Sequence, residues 1–345
     1  METGARKDDH LRITMEEDVT FSRISTGLGA YRFLHQALPE IDLDAVDTST
    51  HFLGHRLSFP MLIASMTGGT AQSGHVNRLL AEAAQAAGIG MGLGSTRAML
   101  EQPDVTKTYQ VRKVAPDLVL FANLGAVQLN CGYTADDCLR LVDLTEADGL
   151  YLHLNPLQEA LQVEGDTHFA NLLRRIEEVC AALTVPVIVK EVGWGLSARV
   201  ARLLIDAGVA ALDVAGAGGT SWSQVELFRL EDPVNREVAA GFRDWGIPTA
   251  ESIKMVRAVD THIPLAASGG LKTGIDIAKC LALGADVATV AAVILRAAIE
   301  SPEALVSRIE VLRRQLQIAM FATGSPNIVA LKQAELICTQ PWREP

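Results

Sequence analysis

The chain has 345 residues, 49% of them hydrophobic but only 5% aromatic, with a formal net charge of −11 and a pI near 5.2. That acidity excludes a general nucleic-acid binder, which needs a basic surface, and an anionic ligand would have to meet a local basic pocket. The length fits one barrel-sized domain with terminal additions, or two average domains, around an aliphatic core.

Residues 1–12 are charged and lack the apolar core of a secretory leader. The longest apolar stretches, such as Val287 to Leu295, fall short of the ~20 residues that span a bilayer. Cys131, Cys138, Cys180, Cys280 and Cys338 form no C-x-x-C pair and read as free, mostly space-filling thiols in a reducing compartment. A cytoplasmic protein with no nucleic-acid or membrane partner is expected.

In chain order, residues 1–60 form a segment ahead of the first buried run. Arg6-Lys7-Asp8-Asp9-His10 is a dense charged cluster there, read on pattern alone as a solvated and disordered end. It changes meaning if it folds over a binding site, where Arg and Lys hold a diphosphate. Gly27 to Ala37 reads as a loop and short helix, and Thr50 to Phe59 as a hairpin able to plug a barrel floor.

Eight short apolar runs then alternate with helical spacing: Met61 to Ser65, Gly88 to Leu93, Leu118 to Asn123, Gly149 to Leu154, Pro186 to Lys190, Ala210 to Val214, Pro264 to Ser268 and Ala285 to Val290. Buried parallel strands read as such continuous runs, so the expected fold is a (β/α)8 barrel over 61–300. Helices are predicted at Gly74–Ala87, Phe169–Leu183, Leu196–Ala207 and Gly274–Leu283, with C-terminal helices in 301–345 at Pro302–Phe321 and Ile328–Cys338. The long connection from Gly216 to Ile263 leaves the sixth strand on the catalytic face and reads as a lid or binding loop.

Barrel chemistry sits where strands end. Ser268-Gly269-Gly270-Leu271-Lys272 after strand seven and Ala291-Ala292 after strand eight are where such barrels bind phosphate, although glycines equally serve a tight turn. Ser65-Met66-Thr67-Gly68-Gly69, Ser95, Asn123 and Lys190 share the same rim. A lysine closing an apolar strand needs a partner, either an anionic ligand or a structural carboxylate such as Glu191 or Asp213. A flat heteroaromatic cofactor carrying a phosphate, such as flavin mononucleotide, satisfies this set. After strand four, His153-Leu154-Asn155-Pro156-Leu157-Gln158-Glu159 offers a carboxylate and an amide suited to Mg²⁺ bound through substrate phosphates; Asn155 also reads as a helix cap.

Arg6 to Leu11, Met66 to Gly69, Gly94 to Arg97, Asn123 to Ala126, His153 to Glu164, Val187 to Gly193, Asp213 to Trp222 and Asp244 to Thr249 together resemble the type II isopentenyl-diphosphate delta-isomerase family. The resemblance implies an FMN-dependent barrel that interconverts isopentenyl and dimethylallyl diphosphate by a 1,3-proton shift. It implies FMN at Ala64, Ser65, Met66, Thr67, Ser95, Asn123, Lys190, Thr220, Gly269, Gly270, Leu271, Ala291 and Ala292. Substrate contacts would come from Arg6, Lys7, His10, Ser95, Arg97, His153, Asn155 and Gln158, with Mg²⁺ on Glu159. Gln158, Trp222 and Glu226 would act near the alkene. The flavin would work reduced, with NAD(P)H as reductant, in a homotetramer or homo-octamer. Trp194 replaces a smaller residue usual after Val192-Gly193 and is expected to narrow the site beside Lys190. An FMN-dependent hydroxy-acid oxidase would need a His and Arg between Asp213 and Phe228, where there is neither; a silent flavin-binding scaffold is the remaining alternative.

Overall fold

The computed structural model describes residues 3–66 and 68–339, with side chains from residue 9. Eight parallel strands close a barrel: β1 (Met61–Ile63), β2 (Gly90–Gly92), β3 (Leu120–Gly125), β4 (Gly149–His153), β5 (Val187–Lys190), β6 (Ala211–Asp213), β7 (Leu265–Ala267) and β8 (Val287–Val290). Each strand hydrogen-bonds to the next, and β8 returns to β1 through Thr289 opposite Leu62. Seven strands fall inside the apolar runs, and β3 starts inside its run and extends two residues beyond it, to Gly125. The expected barrel is the observed one.

Strand parity decides what faces inward, because alternate side chains point to opposite faces. Leu62, Phe121, Tyr151, Ile188, Ala211, Ala266 and Val287 form the packed barrel interior. Two residues further along, the same parity brings Ala64, Asn123, His153, Lys190, Asp213, Ser268 and Thr289 to the open end, where all seven line one cavity. The closed end is filled by the hairpin Thr50–Phe52 and His55–Leu57, whose Phe52 and Leu57 join the interior cluster. The hairpin plug expected at Thr50–Phe59 is present. Helices Ala71–Ala87, Leu172–Ala182, Ala198–Asp206, Gly274–Ala282 and Pro302–Ala322 also lie where the periodicity put them.

Two local readings are corrected. Gly27–Ala37 holds only a 3-10 turn, Leu28–Ala30, followed by the strand Tyr31–Phe33. Ile328–Cys338 is helical only at Ile328–Leu331 and ends in the strand Leu336–Cys338. These strands pair antiparallel, Arg32 opposite Ile337, so each takes its shape from a partner some 300 positions away. The N-terminal charge cluster is also not a disordered end: Thr3–Glu16 is a helix. Among the described residues no helix is long and apolar enough to cross a membrane.

A repeated staple ties the closed rim. Asp148 accepts from Leu120 N and from Arg112, whose remaining donors reach the carbonyls of Glu146, Pro116 and Leu118. Asp286 accepts from Leu265 N and from Arg257, whose remaining donors reach Gly284, Asp260 and Ile263. The first joins β3 to β4 and the second β7 to β8, four strands around the barrel. Each Arg satisfies carbonyls that helix ends and turns leave open. Arg112→Ala and Arg257→Ala are each expected to lower unfolding free energy by about 2–3 kcal/mol, with nearly additive effects in the double variant. Urea denaturation checks this; a cost confined to one site would show that the staples are not equivalent.

Candidate active site

The open end of the barrel holds a cavity of about 760 Å³. Its phosphate-sized end is made of backbone. Gly269 has φ +102°, and a Cβ there would lie 2.0 Å from the Gly216 carbonyl. A Cβ at Gly219 or Gly270 would also lie 2.6 Å from backbone of the other loop, so the loops after β6 and β7 are in backbone contact. Ala291 and Ala292 open the helix Ala292–Glu300, bringing its N-terminal N–H groups and positive dipole end to the same wall. These loops could hold a phosphate without using a charged side chain.

The polar face lies across the barrel axis. Ser65 Oγ is buried there without a hydrogen-bond partner. Asn123 Oδ1 sits 2.9 Å from His153 Nδ1, which assigns that ring nitrogen the hydrogen. Lys190 Nζ reaches only the Glu191 carbonyl, at 3.3 Å, and forms no ion pair within 4.0 Å among the described residues. The structural carboxylate partner that sequence left open is therefore not made. Burial holds the Lys190 ammonium below its ordinary value, against the pull of Asp213 and Glu191. Burial also raises Asp213, which accepts from Ser268. Glu191 is pushed up to about 7 by burial although Trp194, Gly193 and Val192 N–H groups all bond it. A half-buried lysine with no ion pair within 4.0 Å among the described residues, beside an orphan hydroxyl and an amide, suits a polar heteroaromatic ring with carbonyl acceptors. The residues present fit FMN.

The third wall follows β4. Pro156–Leu161 starts a short helix, with Pro at its first turn as helix geometry favours. Asn155 does not act as its cap: Nδ2 instead donates to Glu159 Oε1 at 2.7 Å and Gln158 Oε1 at 3.2 Å, and its buried Oδ1 has no partner. Glu159 is further bonded by Gln162 Nε2 and Asp166 N. All these donors are neutral, so no cation pairs with the buried carboxylate among the described residues, and it lies beside an unused amide oxygen. That donor chemistry suits Mg²⁺.

The long connection folds over the mouth as helices Trp222–Leu227 and Pro233–Gly241, followed by Thr249–Val259 on the barrel wall. The N-terminal helix docks on the first of these. His10 meets Trp222 edge to face at 5.3 Å, and Ile13, Val19 and Val225 form a small apolar cluster. Asp244 fastens the strap behind that helix by accepting from the N–H groups of Ser22 and Arg23 at 2.8 Å. Glu226 is fully buried and accepts from Gln158 Nε2 at 2.9 Å and Arg229 Nη1 at 2.7 Å. His10 Nε2 lies 3.0 Å away, close enough for an ion pair but out of line for a hydrogen bond. Burial pushes Glu226 up, yet His10, Gln158 and Arg229 together hold it below the usual carboxylate value.

The chain matches the family model described as FMN-dependent dehydrogenase over residues 5–121 and 152–338. An isopentenyl-diphosphate delta-isomerase from Nostoc sp. is 52% identical over 333 residues, covering 96% of this chain and 95% of that protein. One from Synechococcus sp. is 55% identical over 328 residues, covering 95% and 94%. The chain belongs to the type II, FMN-dependent isopentenyl-diphosphate delta-isomerase family. Solved structures add the fold alone: mandelate oxidase with (S)-2-phenylpropionate superposes with TM-score 0.67 at 18% identity, covering 97% of this chain and 98% of that one.

Within this delta-isomerase family member, Ala64, Ser65, Met66, Ser95, Asn123, Lys190, Thr220, Gly269, Gly270, Leu271, Ala291 and Ala292 all line the cavity. So do His10, Arg97, His153, Asn155, Gln158, Glu159 and Trp222. Thr67 and the side chains of Arg6 and Lys7 lie outside the described residues. Glu226 is not on the cavity wall; it stands behind Gln158. Trp194 does not narrow the site either. It is buried under the Trp245–Pro248 turn, with its ring against Gly246, and does not line the cavity. Sequence reasoning passed over Gln128, Asp166 and Arg229. Gln128 follows β3 on the catalytic face, which is the signal that could have found it.

Proposed function

We propose that this chain interconverts isopentenyl diphosphate and dimethylallyl diphosphate by a 1,3-proton shift, with reduced FMN held in the barrel mouth. One observation carries the reading. A single cavity joins a glycine-built anion cradle and a polar face around an unpaired lysine to the wall of His153, Asn155, Gln158 and Glu159, in a chain more than half identical to named isomerases over nearly its whole length.

Gly269, Gly270, Ala291 and Ala292 would take the FMN phosphate, and Ala64, Ser65, Met66, Thr67, Ser95, Asn123, Lys190, Thr220 and Leu271 its ring and ribityl chain. Arg6, Lys7, His10, Ser95, Arg97, His153, Asn155 and Gln158 would hold the substrate. Mg²⁺ would sit between Glu159 and the diphosphate; among the described residues no group of three His, Cys, Asp or Glu could hold it alone. NAD(P)H would supply the reducing electrons, and the protein would work as a cytoplasmic homotetramer or homo-octamer.

Protonating an unactivated alkene builds positive charge on carbon, which side chains of ordinary pKa serve poorly. Reduced FMN, when bound, supplies an electron-rich ring and a proton-exchanging nitrogen. The chain's part is to orient and to exclude water. Glu226 accepts the Gln158 NH₂, which turns the Gln158 oxygen toward Asn155 and fixes the amide's polarity at the alkene end. Trp222 and the N-terminal helix close over it, giving an apolar, water-poor face for the developing cation. An oxidase reading lacks a base: the loop after β6 has no His or Arg before Arg229, and that guanidinium is committed to Glu226 and Glu164.

The test is anaerobic turnover of the FMN-reconstituted, reduced protein with Mg²⁺ on isopentenyl diphosphate and, separately, turnover of the oxidised FMN-bound protein in air on 2-hydroxy acids, where oxygen accepts the electrons. Isomer is expected from the first and no keto acid from the second. Keto acid without isomer would replace this reading with the oxidase one.

A further inference from the structure

A hydrogen-bonded strut runs behind the diphosphate wall. Arg97 Nη1 donates to Gln128 Oε1 at 2.7 Å, and Gln128 Nε2 donates to Asp166 Oδ2 at 2.9 Å. The backbone N–H of Asp166 then donates to Glu159 Oε2 at 2.8 Å. The loop carrying Asp166 can fold this closely only because residue 165 is glycine: a Cβ there would lie 1.8 Å from the Glu159 carbonyl. Gln128 is 5% exposed, lines the cavity and uses both ends of its amide in the strut. Its polarity matters, because it presents an acceptor to a cation and a donor to a carboxylate.

The charges at this end are unbalanced without a ligand. Arg97 Nε lies 3.1 Å from Glu101, and Arg97 Nη1 lies 3.7 Å from Asp166. Among the described residues of the strut, Glu159 adds a third carboxylate against one guanidinium. Beside these carboxylates a bare diphosphate would meet like charge at the Glu159 end, whereas a diphosphate complexed to a divalent cation would meet complementary charge at both Arg97 and Glu159.

We propose that Gln128 is a positioning residue that sets the spacing between the Arg97 guanidinium and the Glu159 carboxylate, so that the site selects a metal-complexed diphosphate over a free one. The inference rests on the isomerase reading above for the roles of Arg97 and Glu159, and adds the residue that registers them. Losing one side of the strut lets Arg97 collapse onto Glu101 and Asp166, away from the ligand. Metal-dependent recognition should suffer first.

The probe is inorganic pyrophosphate, titrated by calorimetry into the FMN-bound protein with and without Mg²⁺. Wild-type protein is expected to bind more tightly with Mg²⁺. In Gln128→Met that enhancement should fall about tenfold, with FMN content and melting temperature near wild type. Gln128→Glu sets a carboxylate against Asp166 and should fall as far; adding Asp166→Asn restores donor to acceptor and should recover most of the loss. A merely structural side chain would not give this swap rescue. Equal Mg²⁺ enhancement in wild type and both single variants overturns the proposal, as does a double variant no better than Gln128→Glu. If Gln128→Met fails to fold, the Gln128→Glu and double-variant pair decides. Loss of isopentenyl diphosphate turnover in wild type itself would instead strike the isomerase reading.

Discussion

Replacing Gln158 by Leu is expected to lower turnover of isopentenyl diphosphate by about 10²–10⁴-fold, the range for losing a group that places a transferred proton, while FMN stays bound. The side chain touches the cavity but not its glycine cradle, so cofactor content and activity should separate. Glu226→Gln tests the cause. Glu226 is fully buried and accepts the Gln158 NH₂; an amide in its place competes to donate, leaving Gln158 free to flip. A turnover loss of about 10²-fold with little change in KM is expected. Arg229→Met removes one of the groups that keep Glu226 below the usual carboxylate value. With that group gone the Glu226 value rises, so the acid limb of the kcat profile should move to higher pH. An unmoved limb would remove Glu226 from the proton's path.

Gly269→Ala is expected to abolish stable FMN retention, weakening binding by at least about 10²-fold. A methyl there faces φ +102° and a Gly216 carbonyl 2.0 Å away, and neither is a flexible side-chain end that can swing aside. The loops after β6 and β7 must part, and the backbone N–H groups that would meet the phosphate part with them. Gly241→Ala is the control, since nothing lies within 4 Å of its added carbon. Flavin absorbance after gel filtration reads both. Full flavin occupancy in Gly269→Ala would show that the cradle is not where the phosphate binds.

The barrel was legible because buried parallel strands leave little choice: Pro186 to Lys190 must be apolar until the side chain that leaves the core, and that side chain is Lys190. The same parity delivers Asn123 and His153 to the mouth. It equally delivers Asp213 and Thr289, which a motif-led reading used less than it could have. Side chains that act through other side chains were not legible. Gln128 and Asp166 belong to different loops, 38 residues apart, and nothing local marks their contact. The N-terminal helix was hidden for a related reason: of its described side chains only Ile13 is buried, and it and the half-buried His10 are covered by Val225 and Trp222 of a distant segment. Trp194 misled in the opposite direction, since sequence proximity to Lys190 does not reveal that the indole packs against Gly246 and away from the cavity wall.

Counting product molecules against reducing equivalents tests the central claim most directly. The FMN-loaded protein is reduced once under anaerobic conditions, excess reductant is removed, and isopentenyl diphosphate is added in deuterated water. Many dimethylallyl diphosphate molecules per flavin are expected, each carrying solvent deuterium, with the flavin still reduced at the end. One product per flavin, with the flavin left oxidised, would contradict the account.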